Sequence, residues 1–536
     1  MQQLTQKFKS WKLWTAAAVS AALLELPFPL AGPLPAERAV FAWFALVPLL
    51  WALLTPLSAS QPRPLRRGFL LGYFCGALWF AGNCYWVRDT MQHFGDLPAG
   101  VPSLLLVAFS LYLGLYMGLF GLSVALVRRA TGSTRFTLAA APFLWVAMEL
   151  AAARVTGFPW DQLGMTQVDN ALLTQLAPWT GVYGISFVLM VANVLFTGGF
   201  LLNQRSERQA WFVAGAVFMA AGVAGLALHP PTPAPTATTV LVQPNLDVSD
   251  DNLWQAPGEW QRHIAEFQQL AGASHPDLVL WPESPAPFFE SEPRFQQAMK
   301  DVATSAEAPL IVGGMGVELS PEDHLYHGYN SALVFSASGM PVGRYDKIHL
   351  VPFGEYIPFR HLLFFARSLT GRVGDTERGS NRKLFILPGQ DGQRHSYGVF
   401  ICYESVFGDE VREFAQLGAE ALVNISDDGW YGDTSAPWQH LNMARMRAIE
   451  NRRWILRDTN NGLTAVIDPY GRIRQSIPRH HPGALVAQFG FRSDLTFYTW
   501  HGDLFAYLCA LLSLVLLGWG GKKLFRLWLH GGKVAE

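Results

Sequence analysis

Residues 398–404 read Gly-Val-Phe-Ile-Cys-Tyr-Glu, an apolar run that ends in a cysteine and a glutamate. A short continuous apolar run of this kind is typical of a strand that is buried on both faces of a sheet. Helical stretches such as 258–272 and 436–451 alternate with such runs, which predicts an α/β domain. Further predicted strands lie at residues 239–243, 278–281, 310–313, 332–335, 421–424, 454–456 and 464–467.

Three of these strand ends carry chemically reactive side chains. Glu283 follows an apolar run in the sequence Trp-Pro-Glu-Ser, Lys347 follows a strand and a turn, and Cys402 follows residues 398–401. A glutamate after a proline is usually a solvated turn, and a lysine beside an aspartate is usually a surface pair. However, reactive groups of α/β sheets gather at the carboxyl ends of strands, so the sequence predicts that these three meet.

The three side chains have complementary chemistry. A thiol is a weak nucleophile until it is deprotonated, so a carboxylate base such as Glu283 would activate Cys402. The ammonium group of Lys347 would favour the ionised carboxylate and would stabilise the oxyanion of a tetrahedral intermediate. Together they predict acyl transfer through a covalent thioester.

Cys402 is the one cysteine in the polar half of the chain, because Cys75, Cys84 and Cys509 lie in apolar stretches. A disulfide framework is therefore excluded in that half, and no cysteine–histidine metal spacing surrounds Cys402. The alternative to a nucleophile is a small buried hydrophobic residue. The sequence implies no metal and no organic cofactor.

Long apolar segments dominate the first 229 residues. Hydrophobic residues make up 50% of the chain and charged residues only 15%, whereas soluble domains have about 25% charged residues. Segments of about 20 apolar residues span a bilayer as helices. Such helices are predicted at 11–31, 39–57, 68–87, 101–127, 136–154, 180–202 and 211–228, with an eighth at 504–521. The net charge of −1 gives no reason to expect a nucleic-acid partner.

The positions of lysine and arginine predict how the chain is oriented in the membrane. They cluster in alternate connections, at residues 7–12, 63–67, 128–135 and 205–208, and again in the tail at 522–533. By the positive-inside rule both termini are cytoplasmic. The predicted organisation is a transmembrane bundle of about seven helices at 1–229, an extracytoplasmic catalytic domain at 230–503, and a last transmembrane helix and cytoplasmic tail at 504–536.

Three ionisable residues, Glu25, Glu149 and Arg154, lie in or near the predicted membrane helices. An ionisable residue inside a bilayer is a candidate for function. All three lie near predicted helix ends, however, where a charge costs little. A structural role is therefore expected for them.

Glu283, Lys347 and Cys402, in this order and in these strand-end contexts, resemble the catalytic triad of the nitrilase superfamily over residues 237–490. The resemblance implies an α-β-β-α sandwich with the glutamate as general base, the lysine as electrostatic stabiliser and the cysteine as nucleophile. The helical bundle before this domain and the helix after it resemble the apolipoprotein N-acyltransferases over essentially the whole chain. Sequence blocks similar to that family lie at 351–358, 443–448 and 459–462.

The same resemblance implies further functional residues. Glu355, eight residues after the predicted catalytic lysine, matches a second functional glutamate of the family. Tyr403 and Glu404, directly after the predicted nucleophile, match residues that the family needs for activity. Trp254 matches a functional tryptophan in a loop.

Two other segments flank the predicted site. Asn424 and Ser426 lie at a strand end, but two acidic residues follow where the family more often has one, so both are left out of the site. The dense apolar stretch at 351–369 is expected to form a loop that dips into lipid, in preference to an ordinary part of the core.

The resemblance implies transfer of a fatty acyl group from the sn-1 position of a phospholipid, through Cys402, to the N-terminal amine of S-diacylglyceryl-cysteine on an apolipoprotein. This ping-pong reaction would complete bacterial lipoprotein maturation. The expected partners are a phospholipid acyl donor, a diacylated apolipoprotein acceptor and membrane lipid. The expected location is the bacterial inner membrane, with the catalytic domain on the periplasmic side.

Two alternatives remain open at this stage. One is a membrane-tethered nitrilase-type amidase that gives the acyl group to water, since the triad alone does not discriminate between acceptors. The other is a transporter or receptor whose outer domain binds a ligand. The membrane segments lack the midplane charges and broken helices that are expected of a transporter.

Overall fold

The computed structural model describes residues 2–56, 63–95, 97–248, 258–271, 275–283, 289–320, 324–356 and 376–529. The chain divides into two compact units, which are described separately. The first comprises Met1–Arg88, Gly100–His229 and Asp503–Glu536. The second comprises Asp89–Ala99 and Pro230–Gly502.

The helices of the described residues fall in both units. In chain order they are α1 (Gln2–Glu25), α2 (Val47–Leu54), α3 (Pro64–Asn83), α4 (Trp86–Phe94), α5 (Val101–Thr131), α6 (Thr134–Ala151), α7 (Ala177–Thr180), α8 (Val182–Leu201), α9 (Arg205–Val223), α10 (Glu259–Ala271), α11 (Pro293–Ala306), α12 (Gly408–Leu417), α13 (Ala436–Asn451), α14 (Phe497–His501) and α15 (Leu504–Leu529). Short 3₁₀ segments are Ala36–Trp43, Leu163–Gln167, Leu173–Leu176, Ala224–Ala227, Cys402–Val406 and Asp428–Tyr431, and a π-helical turn covers Ala152–Thr156.

Six helical segments among the described residues are long and apolar enough to cross a membrane. They are Ala36–Leu54, Val101–Thr131, Thr134–Thr156, Val182–Leu201, Arg205–Ala227 and Leu504–Leu527. The predicted multi-pass bundle is thus confirmed. The predicted spans at 11–31 and 68–87 also form helices, α1 and α3, but are not among the six. Every 18-residue window of α1 contains at least two lysines, and every such window of α3 contains two arginines, which lowers the mean hydropathy.

Prolines explain where two helices differ from their predicted bounds. Helix α1 ends at Glu25 and not at residue 31, because Pro27 and Pro29 follow and proline cannot continue a helix. The predicted span at 39–57 consists of the 3₁₀ segment Ala36–Trp43 and then α2. Pro48 lies in the first turn of α2, where its missing N–H costs little.

Helices α3 and α5 pack closely through glycines. Gly68, Gly72 and Gly76 recur at every fourth residue of α3 and face α5. A Cβ atom at Gly72 would overlap the main-chain carbonyl of Met117, and one at Gly121 of α5 would overlap that of Gly68. Small residues allow two membrane helices to approach this closely, so this pair owes its packing to its glycines.

Two of the ionisable residues of the bundle make structural contacts. Glu149 of α6 accepts hydrogen bonds from the indole N–H of Trp145 at 3.0 Å and from the main-chain N–H of Leu163 at 2.8 Å. Arg154, in the π-helical turn, forms an ion pair with Asp503, directly before α15. Both residues therefore connect separate segments of the bundle, which agrees with the structural role expected for them.

The second unit contains two six-stranded sheets. The strands are β1 (Ala237–Gln243), β2 (Leu278–Leu280), β3 (Leu310–Leu319), β4 (Tyr326–Phe335), β5 (Pro341–Asp346), β6 (Leu384–Pro388), β7 (Arg394–Ile401), β8 (Ala421–Ser426), β9 (Ile455–Thr459), β10 (Thr464–Ile467), β11 (Ile473–Ile477) and β12 (Gly483–Phe489). Their orders are β12-β1-β2-β3-β4-β5 and β11-β10-β9-β8-β7-β6. Strands β1–β3 are parallel to one another, as are β7–β9, and the other neighbours pair antiparallel.

The two sheets share one apolar core and carry helices on their other faces. Leu280 and Tyr345 of the first sheet belong to the same buried cluster as Val399 of the second. Met299 of α11 packs with the opposite face of the first sheet, and Phe414 of α12 joins the core of the second. The predicted α-β-β-α sandwich is confirmed. Each predicted strand forms, and β5, β6, β11 and β12 are additional.

Replacing Gly72 with leucine should disrupt the bundle. The side chain would displace the α5 backbone, so we expect the full-length protein in detergent to lose roughly 1–3 kcal/mol of stability. The midpoint of thermal unfolding measures this loss. Gly518→Leu on α15 is the matched control, because a Cβ there meets nothing within 4 Å. Equal midpoints for the two variants would contradict close glycine packing.

Candidate active site

The three candidate catalytic residues all follow the carboxyl ends of strands. Glu283 lies three residues after β2, Lys347 directly after β5 and Cys402 directly after β7. Strands β2 and β5 belong to one sheet and β7 to the other. Pro282 has no N–H to donate to a ladder, so β2 gives way to the turn that holds Glu283.

Lys347 is a buried cation between two carboxylates. Its Nζ atom donates to Oε1 of Glu283 at 3.1 Å and to Oε1 of Glu355 at 3.0 Å. The lysine is only 1% exposed. Burial by itself lowers the pKa of Lys347, but Glu283 and Glu355 outweigh it and hold that pKa well above its usual value. The structure thus brings the predicted base, the predicted cation and the second glutamate together.

Asn330 of β4, which the sequence did not single out, joins the two carboxylates. Its side-chain amide donates to Oε1 of Glu283 and to Oε1 of Glu355, both at 2.7 Å. Its main-chain carbonyl accepts the N–H of Lys347 at 2.9 Å. The remaining carboxylate oxygens accept main-chain N–H groups, from Asp427 to Glu283 at 2.9 Å and from Val351 to Glu355 at 2.8 Å. Each oxygen of both carboxylates therefore accepts at least one hydrogen bond, which fixes the orientation of the two side chains.

Cys402 occupies a strained turn between β7 and the 3₁₀ segment Cys402–Val406. Its φ angle is +49°, in the left-handed region that residues with a Cβ rarely adopt. Such a conformation costs about 1–3 kcal/mol and persists only where the surroundings enforce it. The residue is 6% exposed, and its thiol is hydrogen-bonded by Ser426.

The surroundings of Cys402 keep its thiol protonated at rest. Burial raises the pKa of the Cys402 thiol well above its usual value, and the charge of Glu283 raises it further. Lys347 and the hydrogen bond between the thiol and Ser426 act in the opposite direction but do not outweigh burial. A thiol in this state would act as a nucleophile only if a base took its proton.

Glu404 ties the two strand ends together. Its Oε1 atom accepts from the hydroxyl of Tyr345 at 2.9 Å and from the main-chain N–H groups of Ile348 at 2.7 Å and His349 at 3.1 Å. Its Oε2 atom accepts from the N–H of Ile401 at 2.7 Å. One side chain thus holds the segment after Lys347, which follows the first sheet, against the strand end before Cys402, which belongs to the second.

Tyr403 and Trp254 are the other two residues that the family resemblance singled out. The ring of Tyr403 is buried and packs edge-on against Phe407, with centroids 5.2 Å apart, and near His349 at 6.0 Å. Tyr403 therefore supports the turn that carries the nucleophile. Trp254 lies outside the described residues, as does most of the apolar stretch at 351–369, so both stay predictions.

The end of β8 contributes more to the site than the sequence indicated. Ser426, which the sequence does not assign to the site, contacts the Cys402 thiol, and the main-chain N–H of Asp427 donates to Glu283. Asn424 faces away from this group, since its amide donates to the carbonyl of Phe400 at 3.2 Å and its carbonyl binds Arg457. Four polar residues within residues 424–428, directly after an apolar run, were the available signal.

A second polar cluster lies behind the nucleophile. His440 of α13 contacts the main-chain carbonyl of Cys402 at 3.0 Å and a carboxylate oxygen of Asp428 at 2.9 Å. Arg457 of β9 binds both oxygens of Asp428, at 2.8 and 3.0 Å. Burial alone would raise the pKa of Asp428, but Arg457 and His440 lower it below its usual value. No motif in the sequence pointed to this cluster.

The arrangement suits acyl transfer to a thiol. The carboxylate of Glu283 is hydrogen-bonded to Lys347 near the protonated thiol of Cys402, and the same cation is available for an oxyanion. Among the described residues, no group of three or more His, Cys, Asp or Glu side chains is arranged to hold a metal ion.

Two family models match the chain. "Apolipoprotein N-acyltransferase N-terminal domain" matches residues 20–195, and "Carbon-nitrogen hydrolase" matches residues 239–490. A protein from Geobacter metallireducens named "Apolipoprotein N-acyltransferase" is 34% identical over 505 residues, which cover 92% of each chain. A protein of the same name from Haemophilus ducreyi is 31% identical and covers 87% of this chain and 90% of its own length. The crystal structure of Saccharomyces cerevisiae Nit3, a member of the nitrilase superfamily, is 21% identical over 48% of this chain and 91% of its own, with a TM-score of 0.34.

The protonation state of Cys402 yields a pH prediction. Because the pKa of its thiol lies well above the usual 9.0, the thiolate should form only as the pH rises past that value. The ultraviolet absorbance of the thiolate, taken as the difference between the unsubstituted protein and Cys402→Ser, measures this directly. Thiolate absorbance already present at neutral pH would contradict the prediction and would indicate a preformed ion pair with Lys347.

The hydrogen bonds of Glu404 yield a stability prediction. Glu404→Gln replaces one acceptor oxygen with an NH₂ group, which leaves buried N–H donors unpaired at one strand end. We expect a loss of about 1–3 kcal/mol in the free energy of unfolding. Chemical denaturation of the full chain in detergent measures it. Glu413→Gln is the control, since that side chain is 40% exposed in an ion pair with Arg382, and should change stability by less than about 0.5 kcal/mol. An equal loss of unfolding free energy in the two variants would show that Glu404 does not hold the two strand ends together.

Proposed function

The chain belongs to the apolipoprotein N-acyltransferase family, and we propose that it transfers a fatty acyl group from the sn-1 position of a phospholipid to the N-terminal amine of S-diacylglyceryl-cysteine on apolipoproteins. This reaction completes bacterial lipoprotein maturation. The observation that carries the proposal is the buried Glu283–Lys347–Glu355 cluster beside the protonated thiol of Cys402. Glu283, Lys347 and Cys402 form the catalytic triad of this proposal.

The first half-reaction forms a thioester. Glu283 accepts the proton of Cys402 as the sulfur attacks the ester carbonyl of the phospholipid. The ammonium group of Lys347 stabilises the oxyanion of the tetrahedral intermediate. Collapse of the intermediate breaks the ester bond, and the proton held by Glu283 passes to the departing lysophospholipid hydroxyl. The acyl group remains on Cys402.

The second half-reaction transfers the acyl group to nitrogen. The α-amine of the acceptor attacks the thioester carbonyl, Glu283 takes the amine proton, and the proton returns to the sulfur as the C–S bond breaks. This gives a ping-pong sequence through one covalent intermediate. Burial of Cys402 supports the scheme, because an acyl thioester survives to meet an amine only where water is kept away.

The supporting residues have separate roles in this scheme. Glu355 shares the charge of Lys347 with Glu283, so one cation serves both carboxylates. Glu404 positions the segment after Lys347 against the strand end before Cys402, and Tyr403 supports the turn of the nucleophile. Trp254 is proposed as a further substrate-binding residue on the family resemblance alone.

The proposed substrates are lipids, and the chain is a multi-pass membrane protein. Exposed aromatic side chains close to the site along the chain support a lipid-facing rim. Phe353 is 38% exposed and lies six residues after Lys347, and Trp430 is 42% exposed and lies two residues after Asp428. We propose that the protein lies in the bacterial inner membrane with the catalytic domain on the periplasmic side. The clustering of lysine and arginine in alternate connections supports the proposed cytoplasmic position of both termini.

Hydrolysis is the second candidate function. The family model that matches residues 239–490 is described as "Carbon-nitrogen hydrolase", and the triad chemistry serves water as well as an amine. The two functions share the thioester and differ only in what removes the acyl group. An assay that follows release of the acyl group therefore separates them.

The proposed mechanism predicts an acyl adduct on Cys402. Purified protein incubated with phospholipid should gain the mass of one fatty acyl group by intact-protein mass spectrometry. Cys402→Ala should gain none, because the nucleophile is absent, and a diacylated lipopeptide should remove the adduct from the unsubstituted protein. Cys509→Ala, which replaces a free cysteine of α15, is the control and should behave as the unsubstituted protein does.

Each departure from this result has a definite meaning. An adduct that is lost as free fatty acid, with no acylated lipopeptide formed, supports the hydrolase. No adduct when the acceptor is withheld refutes the covalent mechanism. Full N-acylation by Cys402→Ala would remove the thiol from the chemistry and leave a binding domain in its place.

A further inference from the structure

We propose that His440 is a positioning residue for the nucleophile: held by Arg457, which Asp428 anchors, it binds the main-chain carbonyl of Cys402 and maintains the strained turn that sets the thiol against its base. This inference rests on the proposed function, since it concerns the same thiol. It assigns a role to a buried cluster that lies behind the triad and does not touch the substrate.

The cluster is isolated from solvent. His440, Asp428 and Arg457 are each 0% exposed. They come from α13, from the 3₁₀ segment after β8, and from β9, so the cluster assembles three separate elements of the second sheet and its covering helix. Buried polar groups require hydrogen-bond partners, and here the partners lie mainly within the cluster and on the backbone of Cys402.

The direction of the hydrogen bonds follows from the chemistry of each partner. The main-chain carbonyl of Cys402 can only accept a hydrogen bond. The Nε2 atom of His440, 3.0 Å from that oxygen, is therefore protonated and is the donor. Burial and the charge of Arg457 both lower the pKa of His440, which makes the ring neutral. The Nδ1 atom of the neutral ring is then an acceptor and accepts a hydrogen bond from the guanidinium group of Arg457 at 3.0 Å. Asp428 lies 2.9 Å from Nδ1 but can only accept, so it acts on His440 through Arg457, which it binds at 2.8 Å.

The φ angle of Cys402 explains why this bond is needed. A cysteine at +49° is held in a conformation that it would leave if unrestrained. Its own carbonyl is the group that reorients when the turn relaxes into an ordinary conformation. A donor fixed in a buried cluster opposes that rotation, whereas a water molecule or a mobile side chain would follow it.

The same cluster also reaches the base. Ser426 donates to Asp428 at 3.2 Å and hydrogen-bonds the thiol of Cys402. The N–H of Asp427, the residue before Asp428, donates to Glu283 at 2.9 Å. A shift of Asp428 would therefore move the supports of both the nucleophile and its base, so the cluster sets their relative position.

The test compares three side chains at position 440 in the full-length protein. His440→Leu removes the donor at similar volume. His440→Gln places an amide N–H where Nε2 stood, whereas His440→Asn has the same amide on a shorter side chain that does not reach the carbonyl. His395→Leu is the matched control, because His395 is a buried histidine at the other end of β7, bound to Asp391.

Two rates are measured for each variant at pH 7: acylation of Cys402 at saturating phospholipid, and alkylation of Cys402 by iodoacetamide, followed on its peptide. We expect His440→Leu to slow acylation on the order of 100-fold, with little change in the phospholipid concentration that gives half-maximal rate. Alkylation should slow as well, because a displaced thiol no longer passes its proton to Glu283. His440→Gln should recover most of both rates, and His395→Leu should leave them unchanged even if it unfolds at a lower temperature.

Several results would overturn the inference. One such result is that His440→Leu folds and reacts at the rates of the unsubstituted protein. Another is that His440→Gln reacts as slowly as His440→Leu. Either result would show that the N–H donor at position 440 does not position the thiol. If His440→Leu does not fold, the other two variants decide. Equal acylation and alkylation rates for His440→Asn and His440→Gln would also show that the donor does not position the thiol. Failure of the proposed function would be seen separately, because the unsubstituted protein would then form no acyl adduct. The alkylation rates of the variants would still show whether His440 positions the thiol.

Discussion

Lys347 is a buried ammonium group, and the rest of the site depends on how its charge is compensated. A buried cation is strongly destabilising unless it is paired and hydrogen-bonded. Here the carboxylates of Glu283 and Glu355 supply the compensation, and the amide of Asn330 holds the two carboxylates at a fixed separation. Because these groups come from the end of β2, from β4 and from the turn after β5, the first sheet must be formed before the charge of Lys347 is compensated.

The sequence predicted the interior of both sheets and missed their edges. Strands that are buried on both faces read as continuous apolar runs, and every strand predicted from such a run is present. The four additional strands, β5, β6, β11 and β12, are the outermost strands of the two sheets. An edge strand has one exposed flank, so polar residues interrupt its apolar run, as in Ile-Arg-Gln-Ser-Ile of β11, which is largely exposed. Periodicity alone could not separate such segments from loops.

The site could be predicted in part, for a related reason. Glu283, Lys347 and Cys402 stand out because each follows a strand, which is a property of local sequence. Asn330 lies within a strand, and His440 is 38 residues from Cys402 on a helix, so their roles arise from contacts that no local pattern records. Glu404 was singled out by family resemblance, but its tie between two sheets became evident only from its four hydrogen bonds.

The three residues of the proposed triad are divided between two sheets, which has a consequence for the chain before it is fully folded. Glu283 and Lys347 follow strands of one sheet, and Cys402 follows a strand of the other. Until the two sheets have packed against each other, neither Glu283 nor Lys347 lies beside the thiol of Cys402. The thiol then has the low reactivity of an ordinary cysteine. Under the proposed mechanism, a chain that is still being synthesised and inserted would therefore not react with the surrounding membrane lipid. Reactivity would appear only with the completed fold, so folding itself would protect the thiol from premature acylation.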